Sequence, residues 1–386
     1  MSRARLFASL CGLVFLLNLA RIIFAPLLDV IIVEFSIGEA AAGLLVTLAW
    51  VGSASPRLPT GWLLTKVPRH YVVIGSGAIL AVAAAFAATA ATVEHLMVGA
   101  FLMGIASGVY FVSANPFLSE LYPERIGHVM GVHGAANQVA AVLAAPLVAV
   151  TVVVDWRLSL WLIAIGAALV TVYTGLAAKR TKLPRAGAED KNFLAGALSE
   201  WRIIVTALAL VGLASFVWQG VFNFYELYML ESKRLSSEEA SMMLTIVFAA
   251  GIPAFYFGGD LADRLPHVRY LLGIVGSFSV SLLVLTAVDG VLGLIVLSAV
   301  VGFVIHALFP ATDTFLLDTL PDATRGSAYA VFSSVWMLTQ SLGSFVLGLF
   351  VEAGYSYDLV FRTGAIVLAA VVVVLLLLER TDRLPI

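Results

Sequence analysis

Charged side chains are scarce in this chain. Of its 386 residues only 12% are Asp, Glu, Lys or Arg, whereas 61% are hydrophobic. Soluble domains carry about 25% charged residues and about 45–50% apolar ones. The composition therefore excludes an ordinary soluble protein and predicts an integral membrane protein that lies in a lipid bilayer.

The chain lacks the residues that several functional classes require. Cys11 is the only cysteine, which excludes an internal disulfide and a cysteine-based metal site. No basic tract indicates nucleic-acid binding, and no phosphate-binding loop or metal-ligand cluster is present. We therefore predict no cofactor, no metal and no ATP-driven reaction. An intramembrane protease would need a second acid at the depth of Asp260 and Asp263, so an enzyme is not expected.

Long apolar runs fill most of the chain. A membrane helix needs about 20 apolar residues. Twelve candidate spans result: 6–33, 40–64, 71–92, 96–119, 127–154, 158–178, 202–230, 239–261, 269–288, 291–317, 326–350 and 359–378. The first span has no small-residue cleavage site behind a short core, so we interpret it as an uncleaved helix. The markedly polar stretch 179–191 separates the two sets of six.

Lysine and arginine define the expected orientation. With both termini in the cytoplasm, sixteen of the 22 basic residues lie in cytoplasmic segments. The prediction is a multi-pass protein of a cell membrane with three parts: residues 1–178 as a first six-helix bundle, 179–201 as a cytoplasmic linker that includes an interfacial helix over 192–201, and 202–386 as a second bundle.

One stretch occurs twice, at 61–70 and again at 259–269, which are 198 residues apart. The same offset relates Glu120 to Asp318 and Pro123 to Pro321. A shared offset across three landmarks indicates two structural repeats. Parallel repeats around an axis along the membrane normal are typical of transporters.

Twelve spans and the doubled motif resemble the major facilitator superfamily over the whole chain. The signature loop of that family reads Gly-x-Leu-x-Asp-Arg-x-Gly-Arg-Arg. The copy from Gly259 to Arg269 matches it better than the copy at 61–70 does. The resemblance implies an all-α membrane fold of two pseudo-symmetric six-helix bundles, usually monomeric, with a cytoplasmic latch at each copy of the loop. Asp263 would face the helix start near Gly127, where the helix dipole favours an acid. The latch and its charge cluster would comprise Asp263, Arg264, Thr65, Lys66, Arg69, Glu120, Arg125, Asp318 and Arg325. Glu120 is expected to pair with Arg125, and Asp318 with Arg325.

Charged side chains inside spans are costly and usually functional. Arg21 shares a helical face with Asn18 and Asp29, and Arg57 lies beside Pro56 and Pro59, which should distort its helix. A guanidinium group binds carboxylate or phosphate oxygens as a fork, so either arginine could hold an anionic substrate. Alternatively, both could pair with internal acids. The remaining substrate-binding candidates are His133, Asn137, Gln219, Asn223, Trp336 and Gln340.

Three ionisable residues of the second half are candidates for coupling or gating. Asp313 shares a face with His306 and could carry a proton, whereas Glu226 lies near the end of its span. Two of them also have a structural interpretation. His306 could be a hydrogen-bonded packing residue, and Glu226 could be a carboxylate in interfacial water. Single polar residues in spans more often join helices than bind ligands.

We therefore expect a secondary transporter that moves a small solute, with a proton or another ion as a possible coupling partner, by rocking two halves around a midplane site. Two arginines favour a small anion or organic acid as substrate. The aromatic and aliphatic remainder favours efflux of amphipathic or neutral compounds instead. A membrane sensor that does not transport is the alternative of another class. Direction of transport is left open.

Overall fold

The computed structural model describes residues 2–64, 66–122, 126–181, 199–321, 324–381 and 383–384. Within these ranges the chain forms fifteen helices. Their bounds are α1 Ser2–Ile22, α2 Phe24–Phe35, α3 Glu39–Ala54, α4 Arg57–Leu63, α5 Arg69–Ala88, α6 Val93–Leu121, α7 Ile126–Thr151, α8 Arg157–Lys179, α9 Trp201–Asn223, α10 Tyr225–Glu231, α11 Ser237–Ala262, α12 His267–Ala287, α13 Val291–Thr319, α14 Arg325–Glu352 and α15 Tyr357–Arg380.

Eleven of these helices are long and apolar enough to cross a bilayer. The predicted second span, 40–64, is instead two shorter helices, α3 and α4. The interruption falls at Ser55 and Pro56, and a proline cannot donate a backbone hydrogen bond to the preceding turn. The prediction that prolines distort the helix beside Arg57 is therefore confirmed, and the all-helical membrane fold agrees with the twelve-span prediction.

The predicted first span, 6–33, is likewise divided. Helix α1 ends at Ile22, and α2 begins at Phe24. The ring of Pro26 would collide with the carbonyl group of Ile22 in a continuous helix, which accounts for the turn at Ile23. Asp29 lies beyond this turn and is exposed. It therefore does not continue the face of Arg21 into the protein interior.

The 198-residue offset extends over six helices of the first half. Helices α5 and α6 begin at Arg69 and Val93, and α12 and α13 begin at His267 and Val291, 198 residues later. Helices α1, α3, α7 and α8 have counterparts in α9, α11, α14 and α15 whose first residues follow the offset to within two residues. Residues that are 198 apart are called repeat equivalents below.

The chain divides into two compact units. The first comprises Met1–Ile37 and Leu44–Lys191, and the second comprises Gly38–Gly43 and Asn192–Ile386. The predicted linker, 179–201, and its interfacial helix lie mostly outside the described residues.

Each unit contains the same close helix crossing. In the first unit, Gly104 of α6 lies against the carbonyl oxygen of Ala49 of α3. In the second, Gly302 of α13 lies against the carbonyl oxygen of Val247 of α11, and both pairs are repeat equivalents. Glycine permits this approach because a Cβ atom would occupy the space of the facing backbone.

Replacing Gly302 by alanine should therefore destabilise the protein by about 1–3 kcal/mol, because the added methyl group forces two helices apart. Gly273 provides a matched control, since a Cβ atom there meets nothing within 4 Å. Gly273→Ala should leave stability unchanged or raise it, by at most about 1 kcal/mol, through helix propensity. Thermal unfolding of the purified variants measures both effects. Equal melting temperatures for the two variants would contradict the proposed role of the crossing.

Candidate substrate and coupling sites

Arg21 is the centre of a buried polar cluster in the first unit. Its side chain is only 6% exposed. Its Nη2 donates a hydrogen bond of 2.6 Å to Oδ1 of Asn18. Nδ2 of Asn18 in turn donates a bond of 2.7 Å to the carbonyl oxygen of Asn137 on α7. Three sequence-predicted candidates therefore lie together, and Asn18 fixes the orientation of the guanidinium group relative to α7.

Two aromatic rings hold the Arg21 guanidinium group. Its Cζ lies 4.8 Å from the ring centroid of Trp50 on α3 and 5.1 Å from that of Phe111 on α6. A cation over an aromatic face gains about 2 kcal/mol when it is desolvated. The rings thus stabilise a cation that is buried, and they leave its hydrogen-bonding edge available.

Arg21 makes no ion pair with any residue that the structure describes. Its Nε atom is buried and has no hydrogen-bond partner there, and the same holds for Oδ1 of Asn137. Arg57, half-buried at the start of α4, is close enough for its charge to repel that of Arg21, and its Nε donates to the carbonyl oxygen of Ser53 at 3.3 Å. A buried charge without a counter-ion is costly.

His133 belongs to a different network. The hydroxyl group of Tyr110 on α6 donates to the carbonyl oxygen of Leu10 on α1 at 2.7 Å, and it lies 3.0 Å from Nε2 of His133 on α7. The single hydroxyl proton is used on Leu10, so Nε2 of His133 is the donor to Tyr110. This arrangement connects three helices through the hydroxyl group of Tyr110.

The second unit carries a polar seam between α9 and α14. Nε1 of Trp336 donates to Oγ of Ser215 at 2.8 Å, and Nδ2 of Asn223 donates to Oγ of Ser344 at 2.9 Å. Gln340 is buried on α14. Nε2 of Gln219 and Oδ1 of Asn223 are buried without a hydrogen-bond partner in the described part of the second unit. The seam joins α9 to α14, and among the described residues the donor Nε2 of Gln219 and the acceptor Oδ1 of Asn223 stay unused.

The aromatic pair around Arg21 recurs in the second unit. Phe248 and Phe309 are the repeat equivalents of Trp50 and Phe111. Between them lies the buried ring of His306, whose centroid is 5.7 Å from that of Phe248 and 6.1 Å from that of Phe309. Nδ1 of His306 lies 2.7 Å from the carbonyl oxygen of Gly302. A neutral imidazole there donates that bond. The ring of His306 thus lies near the two aromatic residues that are equivalent to those around Arg21.

Asp313 is half-buried on α13, about two turns from His306 on the same face. The hydroxyl group of Tyr329 on α14 donates to its Oδ1 at 2.7 Å. Among the described residues Asp313 has no cation within ion-pair distance, so its carboxyl group can exist in either protonation state without breaking a salt bridge.

Glu226, the remaining coupling candidate of the second unit, is half-buried in α10.

The acids of the charged loops, Glu120 and Asp318, have partners that the predicted pairing did not name. Glu120 forms an ion pair with Arg69. Its predicted partner, Arg125, lies outside the described residues. Asp318 lies 3.3 Å from Nε2 of His267. Arg69 and His267 are repeat equivalents, as are the two acids, so one contact joins α5 to α6 and α12 to α13. The partner of the acid is a guanidinium group in the first unit and an imidazole ring in the second.

The rest of the predicted latch is only partly visible. Arg264 pairs with Asp260 at 2.7 Å, and Asp263 is exposed. Nζ of Lys66 lies 4.2 Å from the ring centroid of Trp62. Thr65 and the side chain of Arg325 lie outside the described residues. The latch itself therefore stays a prediction.

Sequence reasoning missed Tyr110, Phe111 and Ser344. All three are common residue types in a membrane helix, and nothing in local spacing distinguishes them. The repeat could have identified Phe111, because its equivalent, Phe309, is also aromatic and both follow an equivalent helix start. Ser344 has no comparable signal.

The fold and these sites define a multi-pass membrane protein built from two helical repeats. The sequence profile of the Major Facilitator Superfamily matches residues 10–291 and 207–385. The chain therefore belongs to that superfamily, whose members are transporters of small molecules and are not in general enzymes. The prediction of the family is confirmed.

Individual relatives give less detail. The galactose-proton symporter of Escherichia coli (strain K12) is 37% identical over 120 residues, which are 31% of this chain and 25% of that protein. This chain thus matches about a quarter of the symporter's length. The uncharacterized MFS-type transporter YwfA of Bacillus subtilis (strain 168) is 23% identical over 358 residues, 89% of this chain and 85% of the relative.

A solved structure supports the fold alone. The inward-facing, unoccupied crystal structure of a bacterial homolog of the human lysosomal transporter Spinster has a TM-score of 0.73 with this chain. The two are 16% identical, and the match covers 97% of this chain and 95% of the other.

Proposed function

We propose that the protein is a secondary transporter of a small anion or organic acid, and that Arg21 binds the anionic group. The observation that carries the proposal is a buried guanidinium group without an acidic partner among the described residues. A negatively charged substrate would supply the counter-ion that this guanidinium group lacks. A carboxylate can accept two parallel hydrogen bonds from the guanidinium fork.

The neighbours of Arg21 support the same substrate class. Trp50 and Phe111 cover the faces of the guanidinium group, so an anion approaches its edge. Arg57 adds a second positive charge, which raises the local attraction for an anion. The unused Oδ1 of Asn137 accepts a hydrogen bond, which suits a hydroxyl or amide donor on an organic acid.

Proton coupling is the second element of the proposal. Asp313 is a carboxyl group within a span that accepts one hydrogen bond from Tyr329 and has no ion pair in the described ranges. Acids in this setting serve as proton relays in transporters. The galactose-proton symporter of Escherichia coli couples its substrate to protons by name, and we extend proton coupling to this chain as a proposal.

One observation favours a second candidate function, the efflux of lipophilic or neutral compounds. The wall around His306 is aromatic, with Trp218, Phe248, Phe255 and Phe309 all within 6.2 Å between ring centroids. Such a wall suits apolar and aromatic ligands. It contributes no charge that would select an anion.

We further propose that the protein lies in a cell membrane as a monomer with both termini in the cytoplasm. The bias of basic residues supports this orientation. A sensor that binds without transporting would bind the same substrate and show no flux in reconstituted vesicles.

A thermal-shift screen of the purified protein tests the substrate class. Small carboxylates, inorganic phosphate, sugars and lipophilic cations are added to the wild type, to Arg21→Gln and to Arg57→Gln. A ligand at 100 times its Kd stabilises the native state by about 2.7 kcal/mol. Stabilisation by an anion that disappears in Arg21→Gln supports the proposal. Stabilisation by lipophilic compounds alone, unchanged in both variants, contradicts it and favours efflux.

A further inference from the structure

A cavity of about 370 Å³ lies within the second unit between α9, α14 and α15. Its lining is apolar and aromatic, with Thr363 as a polar exception and without a charged side chain. The cavity is separate from the Gln219–Asn223 seam, and neither the proposed anion site nor Asp313 contributes to it.

The cavity marks a difference between the two repeats. In the first unit α8 packs closely along α1, because Val170 fits against Gly12 and Leu16 fits against Gly166. The repeat equivalents of Gly12 and Val170 are Leu210 and Leu368, both buried. Two leucines need more room than a glycine and a valine, and helix separation follows side-chain size at the crossing. Helix α15 accordingly packs less extensively on α9, and the cavity fills the gap.

The cavity opens toward the bilayer. Phe350, Leu359 and Val367 line it and are each between 45% and 49% exposed, and all lie within helices that qualify as membrane spans. Tyr355, also a lining residue, lies in the connection between α14 and α15 and is 50% exposed. Tyrosine at such a position is typical of the headgroup level of a membrane. From Leu359 to Val367 the groove follows α15 for about 12 Å at a rise of 1.5 Å per residue.

We propose that this groove binds one acyl chain of a membrane phospholipid, with the headgroup at the level of Tyr355. The surface that contains the groove is the lipid-facing surface of α14 and α15, so the occupant is the apolar molecule that already covers it. The absence of charge in the lining excludes an ionic solute. Lipid tails are as apolar as leucine, so packing in a preformed groove, rather than the hydrophobic effect, gives the preference.

Labelling with a photoreactive lipid tests this inference. Wild-type protein is reconstituted in nanodiscs that contain a trace of phosphatidylcholine with a diazirine in its acyl tail, and labelled peptides are mapped by mass spectrometry. Labelling of the groove segments 343–350 and 359–367 is expected to exceed that of exposed Leu169 and Val172 on α8 by about threefold, a preference of about 0.65 kcal/mol.

Two variants on α15 distinguish groove occupancy from general lipid contact. Val360→Phe fills the groove and should reduce labelling of segment 343–350 about threefold. Val373→Phe is the matched control, because Val373 is 56% exposed and lies outside the groove, and its labelling should equal that of the wild type. Thermal unfolding establishes that both variants are folded. Uniform labelling of α8 and α15, or no effect of Val360→Phe, would each overturn the proposal.

Discussion

Replacing Arg21 by glutamine is expected to abolish transport of an anionic substrate while leaving the protein folded. Loss of one partner from a buried, hydrogen-bonded charge contact costs about 2–5 kcal/mol of binding. Each 1.4 kcal/mol corresponds to a factor of about ten. Apparent affinity for the anion should therefore fall by at least about thirtyfold, measured as radiolabelled uptake by reconstituted vesicles over a range of substrate concentrations.

The substitution should not unfold the protein, for two reasons. Removing a buried cation that lacks a counter-ion is often neutral or stabilising. Glutamine is also the residue that the chain itself places at the equivalent position of the second unit, where Gln219 is buried. The melting temperature without substrate should thus stay close to that of the wild type, which separates a loss of binding from a loss of folding.

Arg21→Lys provides the sharper comparison. Lysine keeps the positive charge but has no planar fork, so it cannot hold a carboxylate by two parallel bonds and also reach Oδ1 of Asn18 in the same geometry. Intermediate uptake is expected. Wild-type uptake by Arg21→Gln would instead make Arg21 a structural residue, and the substrate assignment would then have to move to Arg57 or to the aromatic wall of the second unit.

The fold was predictable because two independent regularities agree. Apolar runs give the number and approximate positions of spans, and the 198-residue offset gives their arrangement in two sets. The structure departs from the prediction at Ile23 and at Ser55, where a proline follows the break and another helix begins. It also departs at Phe224, where the predicted span 202–230 is divided into α9 and α10 without a nearby proline. Hydropathy has no signal for such a break, because the residues on both sides are equally apolar. Proline identity is the signal at Ile23 and Ser55, and it was used only for the second of these breaks.

The candidate site was predictable only in part. Helical spacing placed Asn18 beside Arg21, because residues three apart share a face. Spacing cannot say that Phe111, which is 90 residues away in the sequence, lies on the guanidinium group. Likewise spacing does not reveal that Glu120 pairs with Arg69, which is 51 residues away in the sequence. Contacts between distant helices depend on packing angles, and local sequence patterns do not encode those angles.

Replacing Asp313 by asparagine should flatten the pH dependence of uptake. The substitution keeps an oxygen at the position that accepts the 2.7 Å bond from Tyr329, so the local structure has the same partner. Asparagine also occurs naturally at the equivalent position, Asn115. What changes is the ability to bind and release a proton. Uptake driven by a pH gradient should therefore be lost, whereas exchange of substrate across vesicles without a gradient should continue.

Tyr329→Phe separates the proton from the hydrogen bond. This variant removes the phenol that donates to Asp313 but keeps the carboxyl group, so it should retain pH-dependent uptake with a displaced pH midpoint. Loss of the midpoint in Asp313→Asn together with its displacement in Tyr329→Phe would identify Asp313 as the group that carries the proton. A wild-type pH profile in Asp313→Asn would exclude that role and leave Glu226 and His306, the other ionisable candidates of the second unit, as the residues to test.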